Sequence, residues 1–549
     1  MSDTIDRMIR RRKGDRNPAI RFDDVRETWV DHVNASATRA ALACAWQRPG
    51  PFHIGYLLEN VPETSYWLAA GAVSGATMVG INPTRRGAEL ATDIRHTDCQ
   101  LVVTERKFLP LLDGLDIGIP RERVLVVDTD DYRNTIDDYV TTALPDRSVA
   151  PDSSALLVFT SGTTGAPKAA VVSQRRLAMY GRGLSDQHGL TAASVCYLAM
   201  PMFHSNALYA GWAPAVYVGA TIVLRRRFSA SRFIDDVHRY GVTYFNYVGK
   251  PLSYILATPP RPDDRDNTLV KVLGNEGTEQ DVARFSERFG VPVIDSYGST
   301  EGGIMVRRSP GQPTGALGPL PDGALVVDPE TATPRAVAEF DDAGRLLNAD
   351  ECIGEIVNTS RGSFEGYYKN DDAVQQRTRN GWYWSGDLGY VDAEGWLYFA
   401  GRDYDWLRVD GENFAAAPVE RIITRYPGVV LAAVYAVPAA DVGDDVMVAL
   451  QLEPGTEFDP AAFDEFLQDQ PDLGVKWAPR YLRIADALPV TATSKIVKRQ
   501  LRIDRWECTD PVWWRRERAA ALRPMNADDI ATIRRDFDAH GRVHALDAT

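Results

Sequence analysis

Two textures follow one another along the chain. Up to about residue 300, short apolar runs of strand length recur at Thr77–Ile81, Leu101–Thr104, Val124–Val127, Ala155–Thr160, Thr221–Leu224, Val270–Gly274 and Val291–Asp295, with helix-length polar segments between many of them. Unbroken apolar runs read as strands buried on both faces, so this alternation predicts α/β architecture with parallel sheets under helices. Asn60, Pro62 and Glu63 open a predicted helix whose apolar face carries Tyr66, Trp67, Ala70 and Val73. The most apolar run, Tyr66–Ile81, is shorter than the ~18 residues a bilayer crossing needs and reads as a buried helix and strand.

Past about residue 315 the pattern changes to short strands and turns, as at Asp341–Arg345, Arg379–Trp382 and Asp392–Gly395, which predicts a β-rich region. After Gly401-Arg402 mixed patterning returns, with an amphipathic segment at Pro418–Arg425 and a strand-like run at Val429–Val437. A domain boundary is expected at residue 402, dividing the chain into 1–401 and 402–549. No tandem repeat or low-complexity tract interrupts either part.

Composition narrows the function classes. The 549 residues are 44% apolar and 25% charged, which suits a globular protein and excludes collagen-like, disordered and disulfide-scaffold chains. A net charge of −14 repels polyanions, so nucleic acid is not expected as a partner. Cys44, Cys99, Cys196, Cys352 and Cys508 are scattered without a Cys-x-x-Cys pair, which fits a reducing compartment and offers no structural zinc site. The basic start around Arg10–Lys13 has no apolar stretch directly after it, so a secretory leader is not expected. A cytoplasmic protein is expected, with peripheral contact between this basic run and anionic lipid as the lesser alternative to a solvated terminus. Nothing in the sequence specifies an oligomer.

The strongest chemical signal is an apolar strand running into Thr160-Ser161-Gly162-Thr163-Thr164-Gly165-Ala166-Pro167-Lys168. Glycines let backbone N–H groups approach an anion, hydroxyls donate further bonds, and the lysine adds positive charge, so the loop suits phosphates. It is not a Walker loop, because Lys168 follows Pro167 and precedes Ala169.

This loop resembles the phosphate loop of adenylate-forming enzymes, the superfamily of acyl-CoA synthetases, nonribosomal-peptide adenylation domains and beetle luciferases. Four further motifs follow in the family's order: Asp295-Ser296-Tyr297-Gly298-Ser299-Thr300-Glu301, Ser385-Gly386-Asp387, Gly401-Arg402 with Asp410-Gly411-Glu412-Asn413, and Pro489-x-Thr491 followed by Lys495. The resemblance covers nearly the whole chain. It implies a large N-terminal domain of stacked α/β subdomains plus a β-rich subdomain, and a small mobile α+β C-terminal domain with an extended tail. ATP, Mg²⁺ and coenzyme A are the implied cofactors and co-substrates.

The resemblance also implies roles. Tyr297 would stack on adenine, with Asn275, Glu276 and Gly277 lining the opposite side. Thr300 would contact the α-phosphate, Glu301 would hold Mg²⁺, and Thr160 would be a second oxygen contact. Asp387 would accept from the ribose hydroxyls and Arg402 would donate to the same sugar. Lys495 would bridge the attacking carboxylate and the α-phosphate, and the Gly411 loop would meet pantetheine once the small domain has turned. Two positions depart from the common pattern: Tyr404 stands where a charged hinge residue is usual, and Ser494 where glycine usually precedes the lysine. Gly411-Glu412-Asn413, the extended tail and Arg361-Gly362-Ser363-Phe364-Glu365-Gly366-Tyr367-Tyr368 resemble actinobacterial fatty-acid and steroid side-chain acyl-CoA ligases and the very-long-chain synthetase and fatty-acid-transport branch.

Pro201-Met202-Phe203-His204 resembles the segment bordering the carboxylate pocket, and Gly211, Trp212, Tyr244, Tyr247, Gly249, Gly302 and Gly303 are candidates to line an acyl tunnel beyond it. No acidic residue awaits a substrate amino group there, which favours an acid bearing only a carboxylate. The expected activity is therefore a two-step ligation of a fatty or steroid side-chain acid to coenzyme A through acyl-AMP. Two alternatives stand beside it: an acyl-AMP ligase serving a separate carrier protein, and a catalytically decayed acyl- and nucleotide-binding protein in lipid uptake.

Overall fold

The computed structural model describes residues 3–160, 168–275, 277, 279–308, 311–313, 315–341, 346–360, 362, 364–402, 406–409, 412–441, 443–470, 473–474, 476–491, 496–517 and 520–547. Two compact units divide the chain: residues 1–277, 282–303 and 362–378 form the first, and residues 278–281, 304–361 and 379–549 the second. The boundary expected at residue 402 lies within the second unit.

The first unit holds two mainly parallel sheets. One runs in the order Val124–Val126, Cys99–Thr104, His53–Leu57, Thr77–Gly80, Ser154–Phe159 and Ala169–Ser173, parallel throughout except for the final hairpin. The other runs Val293–Asp295, Lys271–Asn275, Tyr244–Val248, Val195–Leu198, Thr221–Leu224, Pro18–Phe22 and Val25–Thr28, parallel except for its last pair. Each apolar run singled out in this half of the sequence is a strand, because a parallel strand covered on both faces cannot afford polar side chains. Tyr66–Ile81 is the expected pair, the helix Pro62–Ser74 followed by the strand Thr77–Gly80. Asn60 does not cap that helix; its amide donates to Met200 O at 2.9 Å and accepts from Met202 N at 2.9 Å, so the side chain secures the turn leading to His204.

The second unit is β-rich, as expected. Antiparallel strands Ala316–Pro319, Trp396–Arg402, Trp382–Val391, Gly354–Asn358 and Ala324–Val327 form one ladder. A five-stranded sheet begins with Val429–Pro438 and Asp444–Leu452 and packs against the helices Ala416–Ile423 and Pro460–Gln468 around Phe414, Val419, Val434, Val448 and Phe463. The tail adds the sheet's last two strands, Val512–Trp514 and Arg523–Pro524, and the helix Ala527–Ala539. Among the described residues no helix is long and apolar enough to cross a membrane.

Candidate active site

At the carboxyl ends of three adjacent parallel strands in the first unit, Val248 pairs with Asn275 and Gly274 with Asp295. Strand ends on one edge of a parallel sheet leave backbone groups unpaired and bring loops from distant sequence together, which is where ligands bind in such folds. Amides tie these ends to each other. Asn206 donates to Tyr247 O at 2.9 Å and to Asn275 Oδ1 at 3.3 Å, and receives a 2.8 Å bond from Asn246. Asn275 in turn donates to Ser296 O at 2.6 Å. Asp295 is buried and accepts from Gly277 N at 2.7 Å and from the Tyr247 hydroxyl, so this carboxylate props the Gly277 turn from inside.

The following loop is accessible. Tyr297, Ser299, Thr300, Glu301 and Gly302 are part-exposed and Gly298 is exposed, whereas Trp212, Tyr244 and Tyr247 are at most 1% exposed. Those three aromatic candidates for tunnel walls belong to the packed interior: the Trp212 indole donates to Ser65 Oγ at 2.8 Å and the Tyr244 hydroxyl to Ala210 O at 2.9 Å, while Tyr247 meets Asp295. His204 is part-exposed, and Gly249 is buried with its N–H on Asn275 O at 3.0 Å.

Thr300 and Glu301 are held by residues that the sequence did not single out for the task. The Thr300 hydroxyl lies 2.8 Å from Ser205 Oγ, and Thr300 O accepts from the Tyr209 hydroxyl at 3.1 Å. Tyr209 stands on the π-helix Ala207–Trp212 and stacks on Tyr180 with ring centroids 4.3 Å apart. The Tyr367 hydroxyl donates to Glu301 Oε1 at 2.7 Å, and Arg176 Nη1 donates to Glu301 O at 2.7 Å. Gly302 has φ +67°, and a Cβ there would lie 2.1 Å from the Tyr180 hydroxyl, so both backbone shape and space require glycine. The doubled arginine after Ser173-Gln174 and the tyrosine pair after Gly366 were visible in sequence, but nothing local says that they meet Glu301.

Thr160 and Lys168 close the mouth of the expected phosphate loop, Thr160 N donating to Lys168 O at 3.0 Å. Burial, and then the Arg377 guanidinium, hold the Lys168 ammonium below its ordinary value, with Glu301 pulling the other way. Burial pushes the Tyr367 phenol up, reinforced by the Glu301 carboxylate, so it remains a neutral donor. Lys168, Arg377 and Glu301 thus share one electrostatic neighbourhood. Ser161, Gly162, Thr163, Thr164 and Gly165 lie outside the described residues, as do Glu276, Tyr404, Gly411, Ser494 and Lys495.

The oxygen donors expected for the cation, the Glu301 carboxylate and the Thr160 hydroxyl, suit a hard ion. Among the described residues no group of three His, Cys, Asp or Glu side chains forms a metal cage. One carboxylate beside hydroxyls, with nucleotide oxygens and water completing the shell, is how Mg²⁺ is usually held.

In the second unit Asp387 is buried and stands directly across the antiparallel ladder from Arg402. Its N–H donates to Ser385 Oγ at 3.0 Å, and the N–H of Gly386, at φ +71°, donates to Glu355 Oε1 at 2.7 Å. This bend turns the Asp387 backbone within a strand.

A family model described as AMP-binding enzyme matches residues 10–368. Steroid-22-oyl-CoA synthetase of Rhodococcus jostii (strain RHA1) is 48% identical over 547 residues, covering 99% of either chain. Medium/long-chain-fatty-acid CoA ligase FadD17 of Mycobacterium tuberculosis (strain ATCC 25618 / H37Rv) is 46% identical over 496 residues, covering 90% of this chain and 95% of that one. The crystal structure of ATP-bound MatB from Rhodopseudomonas palustris matches with a TM-score of 0.78 at 22% identity, covering 91% of this chain and 98% of the other, which establishes the adenylate-forming fold. With the strand-end loops in place and the match running from residue 10 to residue 368, this chain belongs to the AMP-binding enzyme family.

Proposed function

We propose that the protein is an ATP-dependent acyl-CoA ligase acting on medium- or long-chain fatty acids or steroid side-chain acids. The observation that carries this reading is the 48% identity, over 99% of both chains, with a steroid-22-oyl-CoA synthetase. The 46% identity with a medium/long-chain-fatty-acid CoA ligase, over 90% of this chain and 95% of that one, supports an acid whose remainder is apolar.

In the first step a substrate carboxylate oxygen attacks the α-phosphorus of ATP, the α–β anhydride bond breaks, and pyrophosphate leaves. In the second the coenzyme A sulfur attacks the acyl carbonyl carbon, and AMP departs with the electron pair of the acyl–phosphate bond. Tyr297 stacks on the adenine, Asn275 and Gly277 form the facing wall, and Asp387 and Arg402 hold the ribose. Thr300 orients the α-phosphate. A bound Mg²⁺ at Glu301 supplies positive charge against the phosphates. Lys168 and the loop it closes hold the outer phosphates, and Lys495 joins the two reacting anions so that their repulsion is offset where charge develops. The chain from residue 402 onward turns between steps, withdrawing Lys495 and presenting the Gly411 loop to pantetheine. His204 and Gly302 border the carboxylate.

Local pairs offset part of the charge of the basic N-terminus: Arg10 pairs with Asp6 at 2.7 Å, Arg11 with Asp3 at 2.9 Å and Arg12 with Asp15 at 2.8 Å. These pairs disfavour a lipid-binding role for that run, and we place the enzyme in the cytoplasm. A panel of carboxylic acids assayed for AMP formation with coenzyme A, and separately with acyl carrier protein, tests the proposal. Thioester formation on coenzyme A with medium- or long-chain or steroid acids is expected. Turnover only with the carrier protein, or no pyrophosphate release with any acid, would overturn it.

A further inference from the structure

We propose that Arg176 is a positioning residue that sets the Glu301 carboxylate for the cation, an inference that rests on the metal role read for Glu301 above. Arg176 lies in the first turn of the helix Gln174–His188, whose N-cap Ser173 accepts from Arg176 N at 3.1 Å. Its side chain is 8% exposed, and all three arms of its fork are engaged. Nη1 donates to Glu301 O at 2.7 Å, Nη2 donates to Gly362 O at 3.0 Å, and Nε stands 3.3 Å from the Glu365 carboxylate.

These contacts close a ring. Glu365 accepts from Ser173 N at 2.7 Å and from Ser173 Oγ at 2.8 Å, fixing the segment that begins at Gly362 against the start of the helix. Two residues beyond Glu365, Tyr367 reaches the Glu301 carboxylate at 2.7 Å. One bracket therefore grips Glu301 at both its carbonyl and its side chain. Residues 299–304 belong to no helix or strand, so the carbonyls of Thr300 and Glu301 depend on Tyr209 and Arg176 as donors. The turn also passes close over the guanidinium, a Cβ at Gly302 falling 3.0 Å from Arg176 Nη1.

A tether that merely stabilised the fold would need only a cation against Glu365, which lysine supplies. Meeting two carbonyls and a carboxylate at once from three separate nitrogens needs the guanidinium fork, which a compact ammonium does not reproduce. The bond to Glu301 O fixes the rotation of the Glu301 peptide, from which the carboxylate is built out.

The test uses full-length Arg176→Lys, with Glu365→Gln as a second variant that loosens the bracket while leaving the guanidinium present. Calorimetry measures the affinity for α,β-methylene-ATP with Mg²⁺ and in EDTA, alongside the melting temperature and both half-reactions. For Arg176→Lys we expect about tenfold weaker binding with Mg²⁺ and about twofold or less in EDTA, the loss of one well-placed contact. Adenylation falls in parallel, conversion of supplied acyl-AMP to thioester holds, and Glu365→Gln moves in the same direction by a smaller factor. Equal losses with and without Mg²⁺, or equal losses in both half-reactions, would overturn the proposal. Glu301→Gln separates the two layers. A metal-selective loss there with none in Arg176→Lys and Glu365→Gln refutes the positioning role alone, whereas no metal-selective loss in Glu301→Gln removes the metal reading and the proposal with it.

Discussion

Replacing Gly302 by alanine tests the packing of the Thr300–Gly302 turn. The residue sits at φ +67°, where an L-side chain costs about 1–2 kcal/mol. The added Cβ would also fall 2.1 Å from the Tyr180 hydroxyl and 3.0 Å from Arg176 Nη1. Neither neighbour gives way easily: Tyr180 is buried and stacked on Tyr209 at 14° between planes, and Arg176 is held on three sides. Forcing a methyl into such packing costs roughly 1–3 kcal/mol, so Gly302→Ala should destabilise by about 2–5 kcal/mol in all. Tyr180→Phe removes the phenol oxygen and leaves the ring carbon Cζ at 3.4 Å, an ordinary contact. In the double variant most of the steric part disappears and the backbone part remains. A double-mutant cycle from urea unfolding of the four chains should therefore show coupling of about 1–3 kcal/mol, with the double variant more stable than additivity predicts. An additive cycle, or a Gly302→Ala chain within about 0.5 kcal/mol of wild type, would refute the geometry of this turn.

Lys495→Ala should lower adenylation by orders of magnitude, measured as pyrophosphate release, while supplied acyl-AMP is still converted to thioester; equal loss in both assays would contradict the division of labour. Asp387→Ala should weaken binding of a non-hydrolysable acyl-AMP analogue in calorimetry, and unchanged affinity would remove Asp387 from the ribose site. His32 supplies a pH dependence. Complete burial, and then the Arg39 charge, depress its imidazole from 6.5 to about 3, so the unfolded chain takes up a proton that the folded one refuses. Stability is lost as pH falls below about 6.5, by about 2 kcal/mol at pH 5. Burial raises the carboxyls of Asp6 and Glu27, which act in the opposite sense. The observable is therefore the difference between wild type and His32→Gln, whose unfolding free energy should fall less between pH 7 and pH 5; parallel curves would count against it.

Much of this protein was legible in its linear order. The apolar runs from Thr77 to Asp295 are strands of the two mainly parallel sheets, most of them buried, because such strands admit few polar side chains, and that constraint is local. The motif around Asp295 to Glu301 singled out a loop that follows a strand end of the parallel sheet, and the strand ladder sets Asp387 opposite Arg402. Less was legible where a side chain had a choice of partners. Asn60 precedes the expected helix and also holds the turn at Met200 to Met202, and the tunnel candidates Trp212, Tyr244 and Tyr247 are buried and bonded to interior groups.

The sequence alone determined the α/β architecture and the candidate chemistry of the loops, since both depend on residue type and short-range spacing. Only the tertiary structure decided how Glu301 is held. Arg176, Tyr209 and Tyr367 reach Thr300 and Glu301 across separations of 125, 91 and 66 residues. Such a meeting follows from which strand ends share a sheet edge and which loop carbonyls lack a ladder partner, and neither is written in the spacing of one short motif.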